Sequence, residues 1–375
     1  MHLLSDLLGR PVAAIDTPAL VIDLDAMERN LDRMAAFAAQ HGVKLRPHAK
    51  MHKSATLARL QMAHGAVGVC VQKTSEAEAL AALGVNNIYI SNEVVSPFKL
   101  KRVVAVAREL QALGGQLAIA VDSLEGLRRL AQAAHGQHAL IRVFIEIDVG
   151  QGRCGLAPGA GAVPLAEEIA RQPGLQFGGL QAYHGRAQHL RTLAERQQAI
   201  AQVITHVQAT RAALQAAGHA VPLVTGAGTG TFLLETASGV YGELQAGSYL
   251  FMDRDYAGNE PDPEQPAFEH ALFVKSQVMS VCAGHAVVDA GHKSHAIDSG
   301  LPAVHGLALD YANGGDEHGI LRGAVLPALG DTVWLIPGHC DPTVNLHDHL
   351  LGVRGGLEYG KVEQIIRVDA RGALT

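Results

Sequence analysis

ALVIDL, Ala19–Leu24, is a short apolar run that passes directly into a helical pattern, and its placement decides the fold. Eight further strand-like runs follow it. They are VKLRPH (43–48), VGVCVQ (67–72), NIYIS (87–91), QLAIAV (116–121), LIRVFIEIDV (140–149), LQFGGLQAY (175–183), PLVTG (222–226) and ELQAGSY (243–249). Amphipathic stretches separate most of them, among them Thr74–Leu83, Leu100–Leu113, Leu165–Arg171 and Leu190–Ala217. Such alternation predicts parallel strands joined by crossover helices. Nine strands are one too many for an eightfold barrel. If ALVIDL pairs elsewhere, the other eight close a (β/α)8 barrel from Val43 to about Tyr249; an open doubly wound sheet is the alternative. The helix after ALVIDL is expected to start at an Asp25 cap with Glu28 three residues on. Its apolar stripe is Met27, Leu31, Met34 and Ala38, and Gly42 ends it.

The texture changes after Tyr256. GNEPDPEQP is a Pro- and Gly-rich linker, followed by β-type runs with little helical period: ALFVKSQVMSV, HAVVDAG, TVWLIP and KVEQIIRV. The expected division is a barrel over 25–256 and a mainly antiparallel β domain over 257–375, to which 1–24 is lent.

The chain has 375 residues, of which 48% are apolar, enough for a large buried core. A formal charge of -6 argues against a general nucleic-acid or anionic-membrane binder. The four cysteines, Cys70, Cys154, Cys282 and Cys340, are widely spaced and form no CxxC pair, as expected of reduced thiols. The N-terminus lacks a secretion signal, and no segment approaches a membrane span. A cytoplasmic protein is expected.

Barrels of this kind gather function at the carboxyl ends of their strands, with phosphate often bound after strands seven and eight. Here those ends carry TGAGTGT (Thr225–Thr231) and AGSY (Ala246–Tyr249), two Gly-rich turns suited to an anion. Strand one ends in RPHAKMHK (Arg46–Lys53). Strand alternation puts Lys44, Arg46, His48 and Lys50 on one face, with Lys53 off that period. A strand-end lysine opposite a phosphate cradle suits a Schiff base with pyridoxal phosphate.

The chain resembles the fold-type III pyridoxal phosphate enzymes related to alanine racemase, and within them the D-threonine aldolase and D-serine dehydratase group. TPALVIDLDAMERN, RPHAKMHK, DVGQGRCGL, QAYHG, the two Gly-rich loops and PGHCDPTVNL carry the resemblance in order along nearly the whole chain. It implies that Lys50 is the Schiff-base lysine, that Arg153 contacts the ring oxygen or nearby substrate, and that Gln72 and Tyr183 line the ring. Gly228, Thr229, Gly230, Gly247 and Ser248 would hold the phosphate.

In PGHCDPT, His339 and Asp341 lie two apart, so an extended chain would point both one way and Cys340 the other; Pro342 favours that geometry. An imidazole and a carboxylate suit Mn2+, Mg2+ or Zn2+. The resemblance makes this pair the site of a divalent metal, Mn2+ foremost. It implies an aldolase that cleaves D-3-hydroxy-2-amino acids such as D-threonine to glycine and an aldehyde. His189, after strand six, is the expected general base. A dehydratase of D-serine or D-3-hydroxyaspartate is the alternative on this scaffold. A racemase using Tyr311 or Tyr359, or a non-catalytic carrier, accounts less well for the His-x-Asp pair. Relatives imply a homodimer acting on a small molecule. HKSHAID (His292, His295) and LHDH (His347, His349) read as polar turns.

Overall fold

The structure, a computed structural model, describes residues 4–375; residues 1–3, expected to go with the second domain, lie outside them. ALVIDL forms β1 (Ala19–Asp23). The next eight strands are β2 (Lys44–Leu45), β3 (Val69–Val71), β4 (Asn87–Ile90), β5 (Gln116–Val121), β6 (Ile141–Glu146), β7 (Leu175–Ala182), β8 (Val224–Gly226) and β9 (Glu243–Leu244). These eight are all parallel, in the order β2-β9-β8-β7-β6-β5-β4-β3. The two ends of that ladder meet at a parallel bridge between His48 and Cys70, where Cys70 N–H donates to Pro47 O at 2.8 Å. The sheet therefore curls into the expected TIM-type barrel rather than lying open.

β1 belongs to the other sheet. It pairs antiparallel with β10 (Leu272–Cys282), Val21 opposite Phe273, and parallel with a later strand, Val21 opposite Leu351. The remaining strands are β11 (His285–Val288), β12 (Ala303–Val304), β13 (Asp310–Asn313), β14 (Gly319–Arg322), β15 (Thr332–Ile336), β16 (His349–Arg354) and β17 (Lys361–Arg367). The sheet runs β13-β14-β11-β10-β1-β16-β17, with β15 pairing β10 and β12. Apart from β1 with β16, its pairs are antiparallel.

The helix α1 (Leu24–His41) links the two sheets. Its fully buried Met27, Leu31 and Met34 pack in one cluster with Phe232 and Tyr249 of the barrel and Leu272 and Leu335 of the second sheet. Each such side chain contributes roughly 2 kcal/mol by leaving water. The cap differs from expectation: Asp23, not Asp25, accepts the Ala26 N–H at 3.1 Å. Asp25 and Glu28 instead take the Arg354 guanidinium from β16, at 2.9 and 2.6 Å. A long-range ion pair has displaced the local capping box. Gly42 ends the helix at φ 63°, in the left-handed region where glycine carries no penalty.

The barrel interior holds a polar network beside a small apolar cluster of Cys70, Tyr89, Ala118, Ala120 and Phe144. Arg46 Nε lies 3.1 Å from Glu243 Oε1, which also accepts from Thr225 Oγ1 at 2.9 Å. Above them Gln245 reaches Gln181 at 2.7 Å, and the Tyr89 hydroxyl donates to the same Gln181 oxygen. This satisfied network fills the floor below the strand ends and fixes the side chains standing on it.

Candidate active site

β2 is shorter than the expected 43–48 run, because Ala49–Met51 turns into a 3-10 helix. The inward alternation survives the turn. Arg46 goes into the barrel floor, His48 Nε2 meets the Gln72 amide at 2.9 Å and Ser91 Oγ at 3.2 Å, and Lys50 enters a cavity of about 330 Å3 at the carboxyl ends of the strands. Lys53 is diverted: at φ 51° and 6% exposed, it pairs with Glu76 at 3.3 Å and Asn345 at 3.0 Å. One lysine of the stretch serves the cavity; the other is a buried strut.

Gln72, Arg153, Tyr183, Gly228, Thr229, Gly247, Ser248 and Asp341 line the same cavity as Lys50. The Arg153 guanidinium carbon stands 5.9 Å from the Tyr183 ring centre. Asp148 holds the loop that carries Arg153, accepting from Gly150 N and Gly152 N at 3.0 Å each. Lys50 Nζ donates to Asp341 Oδ2. Burial works against the Lys50 charge, but the Asp341 carboxylate overrides it and raises the amine above its ordinary range. Burial likewise opposes the Asp341 charge, yet Lys50 and His339 hold that carboxyl low. Burial, with Lys50 adding repulsion, keeps His48 neutral, and burial pushes the Tyr183 hydroxyl up.

The two Gly-rich turns are crowded, one by the Gln188 side chain and the other by the backbone of His48. A β-carbon at Gly228 would lie 2.5 Å from Gln188 Oε1, and one at Gly247 would lie 2.9 Å from His48 O. Ala227 between them and the strand sits at φ 66°, an uncommon conformation for a non-glycine residue and one found at ligand sites. Gly230 is spent differently: its N–H donates to Gln188 Oε1 at 3.0 Å and it does not line the cavity.

The His339–Asp341 pair reaches the mouth through a docked loop. Arg254 N donates to Pro337 O, Asp255 N to Gly338 O, and Cys340 N to Asp253 Oδ2 at 3.1 Å. The expected extended chain is not observed here, since Cys340–Val344 is a short helix with His339 at its cap. Pro342 falls in the first turn, where a missing N–H costs nothing. Even so, His339 Nε2 stands 3.7 Å from Asp341 Oδ1, and Cys340 faces the other way, its thiol toward Met252 O. His339 Nδ1 meets Asp298 Oδ2 at 2.7 Å.

His189 is not brought to the cavity wall. Its Nδ1 lies 2.5 Å from Asp255 Oδ2, its side chain is 45% exposed, and its ring is 5.6 Å from that of Tyr256, which does line the cavity. Tyr256, His48, Ser91, Asn92, Lys73, Gln181 and Gln245 are wall residues the sequence reading did not single out as a site. His48 alone had a signal, sharing the face of Lys50. A larger groove of about 1010 Å3 lies by Phe273, Lys275 and Trp334, but it gathers none of the candidate residues. The other histidine pairs are structural: His295 Nε2 meets Tyr311 at 2.9 Å, and His347 Nε2 meets Ser294 O at 2.8 Å.

Residues 22–255 match the alanine racemase N-terminal domain family, and residues 271–353 match the putative serine dehydratase domain. A D-threonine aldolase of Arthrobacter sp is 46% identical over 97% of this chain and 95% of that protein. A 3-hydroxy-D-aspartate aldolase of Paracoccus denitrificans is 42% identical over 97% and 94%. The crystal structure of a D-threonine aldolase from Filomicrobium marinum superposes with a TM-score of 0.93 at 47% identity, covering 98% of each chain. Fold and site thus define an alanine racemase-like barrel enzyme. The chain belongs to the D-threonine aldolase family and is a carbon–carbon lyase.

Proposed function

We propose that this aldolase cleaves D-3-hydroxy-2-amino acids, D-threonine among them, to glycine and an aldehyde, using pyridoxal phosphate and a divalent metal, Mn2+ foremost, with Mg2+ or Zn2+ as alternatives. The observation that carries the reading is the meeting of Lys50 and Asp341 on a wall shared with Arg153, Tyr183 and two glycine turns.

The residues fit both groups. Lys50 offers one primary amine, Arg153 a guanidinium beside an aromatic ring, and Gly228, Thr229, Gly247 and Ser248 a cradle for a phosphate; Gly230 supports that loop from behind. Asp341 Oδ1 is buried without a hydrogen-bond partner and faces His339 Nε2. A carboxylate on the far ring nitrogen, here Asp298, is the usual support of a metal-binding histidine. Bound there, pyridoxal phosphate supplies an electron sink at Cα and the metal a Lewis acid for the β-hydroxyl.

The chain's own groups then divide the work. Arg153, Gln72 and Tyr183 orient the reacting plane, which selects the bond to be broken. His339 and Asp341 present the β-hydroxyl oxygen. His189 remains our proposed base, oriented by Asp255 as bases commonly are by a carboxylate, and acting from the mouth beside Tyr256. We read the barrel as residues 25–256 and the metal-bearing β unit as 257–375 with 1–24. A cytoplasmic homodimer is proposed, supported by four free cysteines and by exposed apolar side chains such as Val325 and Tyr359. No helix among the described residues is long and apolar enough to cross a membrane. The test is release of glycine and acetaldehyde from D-threonine, dependent on added pyridoxal phosphate and Mn2+; activity indifferent to both would overturn the reading.

A further inference from the structure

Glu93 follows β4, Asp122 follows β5 and Glu146 ends β6, so three carboxyl groups stand at the ends of neighbouring strands. Asp122 is satisfied, accepting from Gly155 N at 3.2 Å. The other two are not. Glu146 is 3% exposed, and its Oε2 and both carboxyl oxygens of Glu93 are buried without a hydrogen-bond partner. The two carboxyl groups act on each other directly, and the Cys154 thiol stands near Glu93 without a hydrogen bond to it.

Two ionised carboxylates in dry contact repel, and neither brings a donor. One proton between them makes one oxygen a donor and another its acceptor, which satisfies two of the three open oxygens. One negative charge remains. Glu146 Oε1 lies 3.9 Å from Arg153 Nη2, the guanidinium beside Tyr183 on the cavity wall.

We infer that Glu93 and Glu146 form a carboxyl pair sharing one proton, whose single remaining charge holds Arg153 in place on the active-site wall. This rests on the reading that Arg153 touches cofactor or substrate. The charge count agrees: a doubly ionised pair leaves an excess of one negative charge, and a doubly protonated pair leaves Arg153 without its counter-ion. The groups facing the pair are Cys154, Arg153, Asp122 and Tyr89. Burial and the Glu93 charge push Glu146 up to about 9, so the proton stays at neutral pH.

The experiment compares infrared difference spectra of 13C-glutamate-labelled and unlabelled holoenzyme. A protonated-carboxyl carbonyl band is expected at pH 8, above the titration of Glu235, fading at more alkaline pH and missing in both Glu93→Gln and Glu146→Gln. No such band in the wild type, or a band surviving in both variants, overturns the shared proton. For positioning, the Glu93→Gln/Glu146→Gln double variant should lose roughly 10–100-fold in kcat/KM, the scale seen when an outer-shell partner is removed. Glu93→Gln alone keeps one negative charge and should lose less. Equal losses in the two would mean the charge does not hold Arg153. The infrared result is independent of the substrate, so it fails separately from the proposed reaction.

Discussion

Lys50, at the end of the first barrel strand, and Asp341, in the β domain, form a direct ion pair across the cavity. The amine and the carboxylate come from opposite ends of the chain, and the loop 253–255 docked on 337–340 sets their meeting.

Lys50→Ala is expected to abolish the visible absorbance of bound cofactor and nearly all turnover, because no other wall amine stands at that strand end. Lys53→Met should keep the absorbance and lower stability by about 3 kcal/mol, since it strands Glu76 in a buried pair. Absorbance spectra and denaturant melts of both variants distinguish the two lysines. Retained colour in Lys50→Ala would misplace the cofactor.

Asp341→Ala and His339→Ala should bind cofactor yet lose the part of turnover that depends on metal. Losing one of two protein ligands is expected to weaken metal binding by at least roughly 10–100-fold, the figure for a mere outer-shell change. Titration of Mn2+ into chelated enzyme measures it. Full activity in excess chelator would remove the metal from the reaction.

His189→Asn should lower kcat by roughly 10²–10⁴ if the imidazole takes the hydroxyl proton. Asp255→Asn should lower it less, by loosening the ring. Burial opposes the Asp255 charge, but His189 and Arg191 bring that carboxyl down to about 2, so it is ionised throughout the working range. A His189→Asn enzyme within about threefold of wild type would assign the base to a wall residue instead, general bases being worth far more.

Glu235 begins its titration unusually late. Burial raises it to about 7 against an ordinary 4.5, in spite of the hydrogen bond from Thr231. The folded state therefore holds its proton more tightly than the unfolded state, and stability falls as pH rises from 4.5 through 7. The loss is about 3 kcal/mol, taking 1.36 kcal/mol per pKa unit. Chemical denaturation between pH 5 and pH 8 should show a shallower decline in Glu235→Gln; identical slopes would refute it.

Where sequence carried the answer, it did so through periodicity. The eight barrel strands with ALVIDL left over follow from the strand–helix pattern and its count, and the inward face of Arg46, His48 and Lys50 from strand alternation, both local properties. The misses are long-range. Asp25 looks like a cap until Arg354 arrives from β16. The His339–Asp341 segment looks extended until Asp253 draws the Cys340 N–H into a helical turn. His189 follows the correct strand, and what the sequence does not show is that Asp255, 66 residues on, holds its ring beside Tyr256 and outside the cavity lining. The Glu93–Glu146 contact has no sequence signal, because it arises only when β4 and β6 flank β5.

The central claim is carbon–carbon cleavage of a D-β-hydroxy amino acid under metal control. Product identity with D- and L-threonine and their hydroxyaspartate counterparts, with and without Mn2+, tests it most directly. The account predicts glycine and acetaldehyde from D-threonine, strongly enhanced by Mn2+, and little from the L-isomer. Ammonia and 2-oxobutanoate from D-threonine would contradict it.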